Sequence, residues 1–227
     1  MSIFILNIET ATTNCSVSIS KNGKTVVLKE DNDKSYSHAE RLHVYIDEAL
    51  KEAGIKSVDL SAIAISKGPG SYTGLRIGVS AAKGLCFALD KPLIAVPTLE
   101  ALAHQVKLEH GIVISMLDAR RMEVYSAIYD SNYKEIRETQ AQILDENAFA
   151  ENLQNGNVYF IGNGVEKTKT LINHPNAIFV EGKLPSANDM SVLAFHKFNN
   201  NDFEDVAYFE PYYLKDFVAL KPKPKTK

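Results

Sequence analysis

Ser66-Lys-Gly-Pro-Gly-Ser-Tyr-Thr-Gly-Leu-Arg-Ile-Gly78 is the stretch on which the fold turns. It follows Ser61–Ile65, an apolar run that reads as a buried strand. Gly68 and Gly70 flank Pro69, whose ring fixes φ, so the chain must turn sharply as it leaves the strand. Ser71 or Thr73 can cap the helix that follows, which runs from Ser71 to Leu89. Gly68, Gly70, Ser71 and Thr73 then fit two readings. One is an anion site, where backbone N–H groups converge at a helix N-terminus. The other is a tight strand-to-helix turn and nothing more. No Lys-Ser/Thr pair follows the last glycine, so this is not a Walker A loop, and it is not the dinucleotide fingerprint.

The helix after the turn is apolar over more than one face. Gly74, Gly78, Ala81 and Leu85 lie near one line, and Leu75, Val79, Ala82, Cys86 and Leu89 lie beside it. One face can pack on the chain's own sheet. The glycines would let another backbone approach closely, from this chain or from a partner subunit.

Outward from this unit the elements fall in order. Ile3–Ile8 is a strand, Cys15–Ser20 alternates as a half-buried strand, and Asn22-Gly23 signals a hairpin back through Val26–Leu28. Ser37 with Glu40 forms a capping box. The helix it opens buries Leu42, Tyr45, Ile46, Ala49, Leu50 and Ala53, and Gly54 closes it. Pro92–Val96 is a strand, and Thr98 caps a helix through Leu108. The order β-β-β-α-β-α-β-α then begins again. Its strands are Ile112–Leu117, Glu123–Tyr129, Tyr133–Glu138, Val158–Ile161 and Ala177–Val180. Its helices are Asp145–Leu153, Gly164–Ile172 and Ser186–Phe198. An α/β chain built this way is either two similar lobes or one continuous mixed sheet with insertions; the repeated order favours two lobes.

A chain of 227 residues buries enough surface to fold without staples. Its 25 Lys+Arg against 28 Asp+Glu leave a formal charge of -3, which excludes coating nucleic acid by charge alone. Two cysteines, Cys15 and Cys86, exclude a disulfide framework and read as structural thiols. The apolar N-terminus lacks a basic n-region and runs into Glu9, so it reads as a strand rather than a signal peptide, and no apolar run is long enough to span a bilayer. A cytoplasmic location is the expectation, with no membrane partner. Metal and nucleophile motifs are thin. His38 and His43 point to different sides of their helix, His104 and His110 are no better placed, and neither HExxH nor Gly-x-Ser-x-Gly occurs. Asp118-Ala-Arg-Arg121, at a strand end, reads either as an anion or partner contact or as a hairpin turn with a local ion pair.

Several segments together resemble the bacterial TsaB (YeaZ) family. They are Ile5–Ala11, Lys67–Gly78, Ala82–Leu85, Val96–Leu102, Asp118–Tyr125 and, near the end, Pro211–Asp216. The likeness is dense through about residue 125 and sparse from there to the end. The glycine-rich stretch is shared with the larger paralogue TsaD, while Thr98–Leu102 and Asp118–Arg120 point to TsaB. The resemblance implies two lobes of the actin/hexokinase-like ATPase fold. It implies an N-terminal lobe over 1–108, completed by 206–220, and a C-terminal lobe over 109–205; the basic end, 221–227, reads from its residues as a solvated tail whose lysines keep it soluble rather than bind a partner. It implies a role in making threonylcarbamoyladenosine at position 37 of tRNA, as the non-catalytic scaffold that binds and activates TsaD. The ATPase TsaE joins the assembled complex, and tRNA is met through that complex.

TsaB members associate through N-terminal-lobe helices, as homodimers or with TsaD; here these are Ser37–Ala53 and Ser71–Leu89. The implied interface is Leu42, Tyr45, Ile46, Gly74, Leu75, Gly78, Val79, Ala81, Ala82 and Leu85. TsaD binds metal through an HxxxH motif where this chain has Thr98 and Leu102, and leucine cannot ligate a metal, so no metal site is expected. The phosphate turns of the fold read Glu9-Thr-Ala-Thr and Asp118-Ala-Arg-Arg, without a glycine, so no cofactor is expected and ATP binding is weak or absent. The competing reading is an ATP-dependent small-molecule kinase of the same fold. A peptidase ranks last, because no nucleophile–base pair supports it.

Overall fold

Asn22 and Gly23 sit at φ 51° and 81°, the left-handed pair that a two-residue hairpin needs. They join β2 (Cys15–Lys21) to β3 (Lys24–Asp31), and β1 (Phe4–Glu9) pairs antiparallel with β2. The structure, a computed structural model, describes residues 2–32 and 38–215. The expected Ser37 cap, residues 216–220 and the tail 221–227 lie outside the described residues.

After β3 come α1 (His38–Glu52), β4 (Ala62–Ser66), α2 (Tyr72–Leu89), β5 (Leu93–Val96) and α3 (Thr98–Ala103). Gly54 takes φ 67° just past α1, the left-handed stop expected of it. β4 and β5 add in parallel on the far side of β1, giving the sheet order β3-β2-β1-β4-β5. The second half repeats this with β6 (Ile112–Asp118), β7 (Glu123–Tyr129), β8 (Glu135–Ile143), α4 (Ala150–Gln154), β9 (Val158–Ile161), α5 (Val165–Lys169), β10 (Ala177–Val180) and α6 (Ser191–Asn199). Its sheet runs β10-β9-β6-β7-β8. Strand for strand this is the first order again, so the chain is two similar α/β lobes rather than one continuous sheet.

The helices do not divide as the strands do. The apolar face of α3, Leu99, Leu102 and Ala103, packs with Val113, Ala127 and Ile161 of the second sheet. Met190 and Ala194, at the start of α6, pack with Ile5, Ala64 and Ile94 of the first. Each lobe therefore ends in a helix that covers the other lobe's sheet. A boundary at 108/109 falls between the sheets but assigns α3 to the lobe it does not cover. The segment after α6 returns to the first lobe. Glu204 bridges to Leu93 of β5, Val206 and Phe209 pack against the first core, and the Tyr212 N–H donates to Lys67 O at 2.7 Å.

Several helices are shorter than the sequence predicts. α3 ends at Ala103, and α6 starts at Ser191 rather than Ser186. Asp145 accepts from the Asn147 N–H at 2.9 Å in a turn, and α4 begins only at Ala150. Among the described residues no helix is long and apolar enough to cross a membrane.

Candidate partner-binding groove and the paired turns

The glycine-rich stretch folds as a cap and a close approach. The Ser71 hydroxyl accepts from the Gly74 N–H at 3.3 Å and caps α2. The Ser71 N–H donates to Ala11 O at 2.7 Å, and the Gly68 N–H donates to Thr98 Oγ1 at 3.0 Å. Gly68 takes φ 104° before a cis bond to Pro69. A Cβ on Gly70 would sit 2.5 Å from Ala11 O, and Thr73 is exposed. Three N–H groups of this stretch, those of Gly68, Ser71 and Gly74, are thus committed to the chain itself, as the tight-turn reading requires.

The same holds along α2. A Cβ on Gly74 would collide with Thr10 O, and one on Gly78 with Thr10 Oγ1. Thr10 Oγ1 also donates to Gly74 O at 2.9 Å. The small-residue face admits the end of β1, not a partner. This corrects most of the expected interface. Leu42, Ile46, Gly74, Leu75, Gly78, Val79 and Ala82 are buried in the first lobe. Only Tyr45, Ala81 and Leu85 reach the surface. The error is a helix-face error: the widest apolar stripe is the one the lobe needs for its own sheet.

The surface these helices present lies one face further round. His43 on α1 and Ile77, Ser80, Ala81, Gly84 and Leu85 on α2 line a groove of about 720 Å³. On the same two helices Phe87 is 87% exposed and Val44 52% exposed. At one end Arg76 donates to Tyr72 Oη at 2.9 Å, and the Tyr72 ring lies 5.0 Å from that of Tyr213. Lys83 donates to Ala207 O and Phe209 O, pinning the C-terminal segment along the helix. Ile77, Ser80, Gly84 and Phe87 recur every three or four residues, a signal the sequence carried and the apolar stripe outweighed.

The two turns that hold phosphates in the resembled fold differ here. Glu9, at the end of β1, is wholly buried. Burial pushes its carboxyl up to about 7, with Asp189 adding to the rise and bonds from Ala11, Ser66 and Thr10 opposing it. Its Oε1 accepts from the Ala11 N–H at 2.6 Å, and its Oε2 meets no donor in hydrogen-bond geometry among the described residues. Asp189, raised to about 6 by burial, accepts from Gln105 Nε2 at 2.7 Å.

The Asp118–Arg121 turn is exposed. Asn163 Oδ1 accepts from the Asp118 N–H at 2.8 Å, and Asp118 Oδ1 from the Arg120 N–H at 2.6 Å. Lys167 reaches Asp118 Oδ1 at 3.0 Å, Arg121 O at 2.9 Å and Glu123 O at 2.5 Å. The ion pair joins the turn to α5; the arginines do not supply it.

Thr98 and Leu102 serve packing. Thr98 Oγ1 lies 2.5 Å from Ser66 Oγ, and Leu102 is fully buried on the second sheet. His38 is buried with Nε2 2.7 Å from Thr12 O, while His43 faces the groove. Burial pushes the Cys15 thiol up to about 11 and the Cys86 thiol up to about 12, so neither is a nucleophile near neutral pH.

Comparison with known proteins places the chain in a family. Residues 32–222 match the model of the TsaD family, described as tRNA N6-adenosine threonylcarbamoyltransferase. The chain is 32% identical to the tRNA threonylcarbamoyladenosine biosynthesis protein TsaB of Escherichia coli (strain K12), over 97% of this chain and 98% of that one. It is 36% identical to a tRNA N6-adenosine threonylcarbamoyltransferase of Staphylococcus epidermidis, over 50% of this chain and 38% of the transferase. The structure of YeaZ from Pseudomonas aeruginosa superposes with a TM-score of 0.80 at 26% identity, covering 93% of this chain and all of the other.

Proposed function

Because the chain belongs to the TsaB proteins of the TsaD family, the proteins of tRNA threonylcarbamoyladenosine biosynthesis, we propose that it is a non-catalytic subunit. In this reading it docks on a TsaD-family transferase through the α1/α2 groove and activates it for threonylcarbamoyl transfer to N6 of adenosine 37. The groove carries the proposal. Ile77, Ala81 and Leu85 form an apolar floor, and Phe87 of α2 is almost fully in water. An apolar groove with an exposed aromatic on the same helix fits an interface. When the partner is absent, the same face is available to a second copy of the chain. TsaE and tRNA join at the level of the assembled complex.

The turns support a subunit without its own chemistry. Gly70 and Gly74 press on Ala11 and Thr10, so the backbone of the first turn is packed where a phosphate would have to approach. A pocket between the β3 end and residues 182–189 carries Glu30, Asp31 and Asp189 against Lys183, and carboxylates repel a triphosphate. This weighs against the kinase reading.

Sedimentation velocity of the chain with a TsaD-family transferase tests the proposal, together with an assay of threonylcarbamoyl transfer to tRNA. A complex should form, the chain alone should show no transfer, and adding it should raise the partner's activity. Absence of a complex would overturn the reading. So would micromolar ATP binding with hydrolysis by the lone chain.

A further inference from the structure

Residues 203–215 touch both lobes. Val206 and Phe209 pack against the first core, and Lys83 of α2 holds the carbonyls of Ala207 and Phe209. From Glu210 to Lys215 the chain has no helix or strand, and none of these residues is fully buried. It is held at its edges instead. The Tyr212 N–H donates to Lys67 O at 2.7 Å. The Tyr213 ring lies 5.0 Å from that of Tyr72, tilted by 38°. Lys215 crosses to the second lobe, where it pairs with Glu123 and lies 5.9 Å over the Tyr125 ring. A stretch with few buried contacts opens at low cost, and an exposed ion pair adds little and weakens with salt. The segment is therefore anchored at Phe209 and lightly held beyond it.

The two ends of this light hold fall at different places. Tyr72, which meets Tyr213, lines the groove together with Arg76. Arg76 donates to Tyr72 Oη at 2.9 Å, and its guanidinium lies 5.3 Å from the centre of the Tyr72 ring. Tyr72 thus belongs at once to the groove wall and to the platform of Tyr213. At the other end, Glu123 O accepts from Lys167, whose ammonium also holds Asp118 and Arg121 O. One short stretch joins the groove to the first turn of the second lobe.

We propose that Glu210–Lys215 is a latch between the lobes that closes when a partner fills the groove. A partner seated there covers Tyr72 and Arg76 and removes their other rotamers, so Tyr213 meets a fixed platform. Tyr213 in place sets Lys215 against Glu123 and Tyr125, and the turn from Asp118 to Glu123 loses mobility with it. Linkage runs both ways: a chain whose latch cannot close binds the partner less tightly by the same factor. The inference rests on docking at the groove and adds that docking is felt in the second lobe.

Amide hydrogen exchange read by mass spectrometry tests this on the full chain, alone and in complex with a TsaD-family transferase. In the unaltered chain, exchange over 210–215 and over 119–125 should slow roughly fivefold or more on complex formation. Tyr213→Ala removes the ring that meets Tyr72. That variant should bind the transferase about fivefold more weakly in sedimentation, and at saturating transferase it should lose the slowing over 119–125. In the lone chain, Tyr72→Ala should speed exchange over both stretches while the amides of β1 and β4 keep their rates. Unchanged exchange over 119–125 in the complex of the unaltered chain would overturn the latch. So would a Tyr213→Ala chain that binds as tightly, or one that shows the same slowing, since the partner would then cover the turn itself. If the unaltered chain forms no complex, the subunit reading fails, and Tyr72→Ala in the lone chain still decides the latch: rates over 119–125 equal to those of the unaltered chain would show that nothing joins the two.

Discussion

The two lobes share a strand order and differ in what their helices have to spare. In the first, α1 and α2 run 15 and 18 residues; in the second, α4 and α5 run five each. A helix of five turns buries one face on its sheet and keeps another for the outside. A helix of little more than one turn has none left over. The first lobe therefore carries the groove, and the second carries its exposed chemistry on a hairpin turn. The first turns of the two lobes differ in the same way. Glu9–Thr12 is sealed under α2, while Asp118–Arg121 stands in water, tied to α5 by one lysine. The same strand order therefore presents different surfaces in the two lobes.

The sealed turn should be the more fragile. Gly78→Glu would force a side chain into Thr10 and bury a charge. It should cost about 3 kcal/mol or more, lowering the melting temperature by about 10 °C in a chain this size or preventing folding. In the second lobe, a Cβ on Gly164 would meet Val124 Cγ1 at 2.8 Å and Met116 Cγ at 3.1 Å, side-chain atoms that can shift. Gly164→Ala should cost about 1 kcal/mol. Calorimetric melts of both variants check the contrast, and equal losses would remove it.

Glu9 makes stability depend on pH. Its carboxyl is raised from an ordinary 4.5 to about 7 in the folded chain. The folded state thus holds the proton more tightly than the unfolded state. Its stabilising effect is complete below about pH 4.5 and is lost as pH rises to about 7, by at most about 3 kcal/mol. Asp189, raised to about 6, acts in the same direction over a lower window. Glu9→Gln keeps an oxygen for the Ala11 N–H and should be the more stable chain at pH 8. Denaturant unfolding at pH 5 and pH 8 reads this, and an unchanged pH slope would show that Glu9 is charged throughout. Its counterpart tests the open turn. Asp118→Asn gives up one exposed ion pair with Lys167 and should stay within about 0.5 kcal/mol of the unaltered chain.

Strands were far more legible than helix ends or helix faces. Asn22-Gly23, Gly54 and the alternation from Cys15 to Ser20 are local signals, and the structure follows them. β7, β9 and β10 begin and end where the residues predict. The start of α6 was not legible because long-range bonds hold that segment. Ser186 Oγ donates to Glu30, and the Ala187 N–H donates to Ser16 Oγ at 2.6 Å, so these residues are tied to the first sheet before the helix begins. The exchange of α3 and α6 between lobes was invisible for the same reason, since element order says nothing about which sheet a helix covers. The apolar stripe of α2 was read correctly as buried against something. The residues leave its neighbour open, because a glycine admits the chain's own β1 end as readily as a foreign backbone, and only the structure places Thr10 there. Glu9 reads in the sequence only as the polar end of the first strand, and only burial reveals its raised carboxyl.

Gly84 separates the groove from the core most directly. It lies on the groove, and a Cβ there meets nothing within 4 Å. Gly84→Glu should leave the fold intact and gain a few tenths of a kcal/mol from helix propensity. It also places a carboxylate on the apolar floor. In sedimentation velocity with a TsaD-family transferase, the unaltered chain should run as a complex and the Gly84→Glu chain as separate species. A Gly84→Glu chain that melts normally and still assembles would contradict the groove as the docking surface.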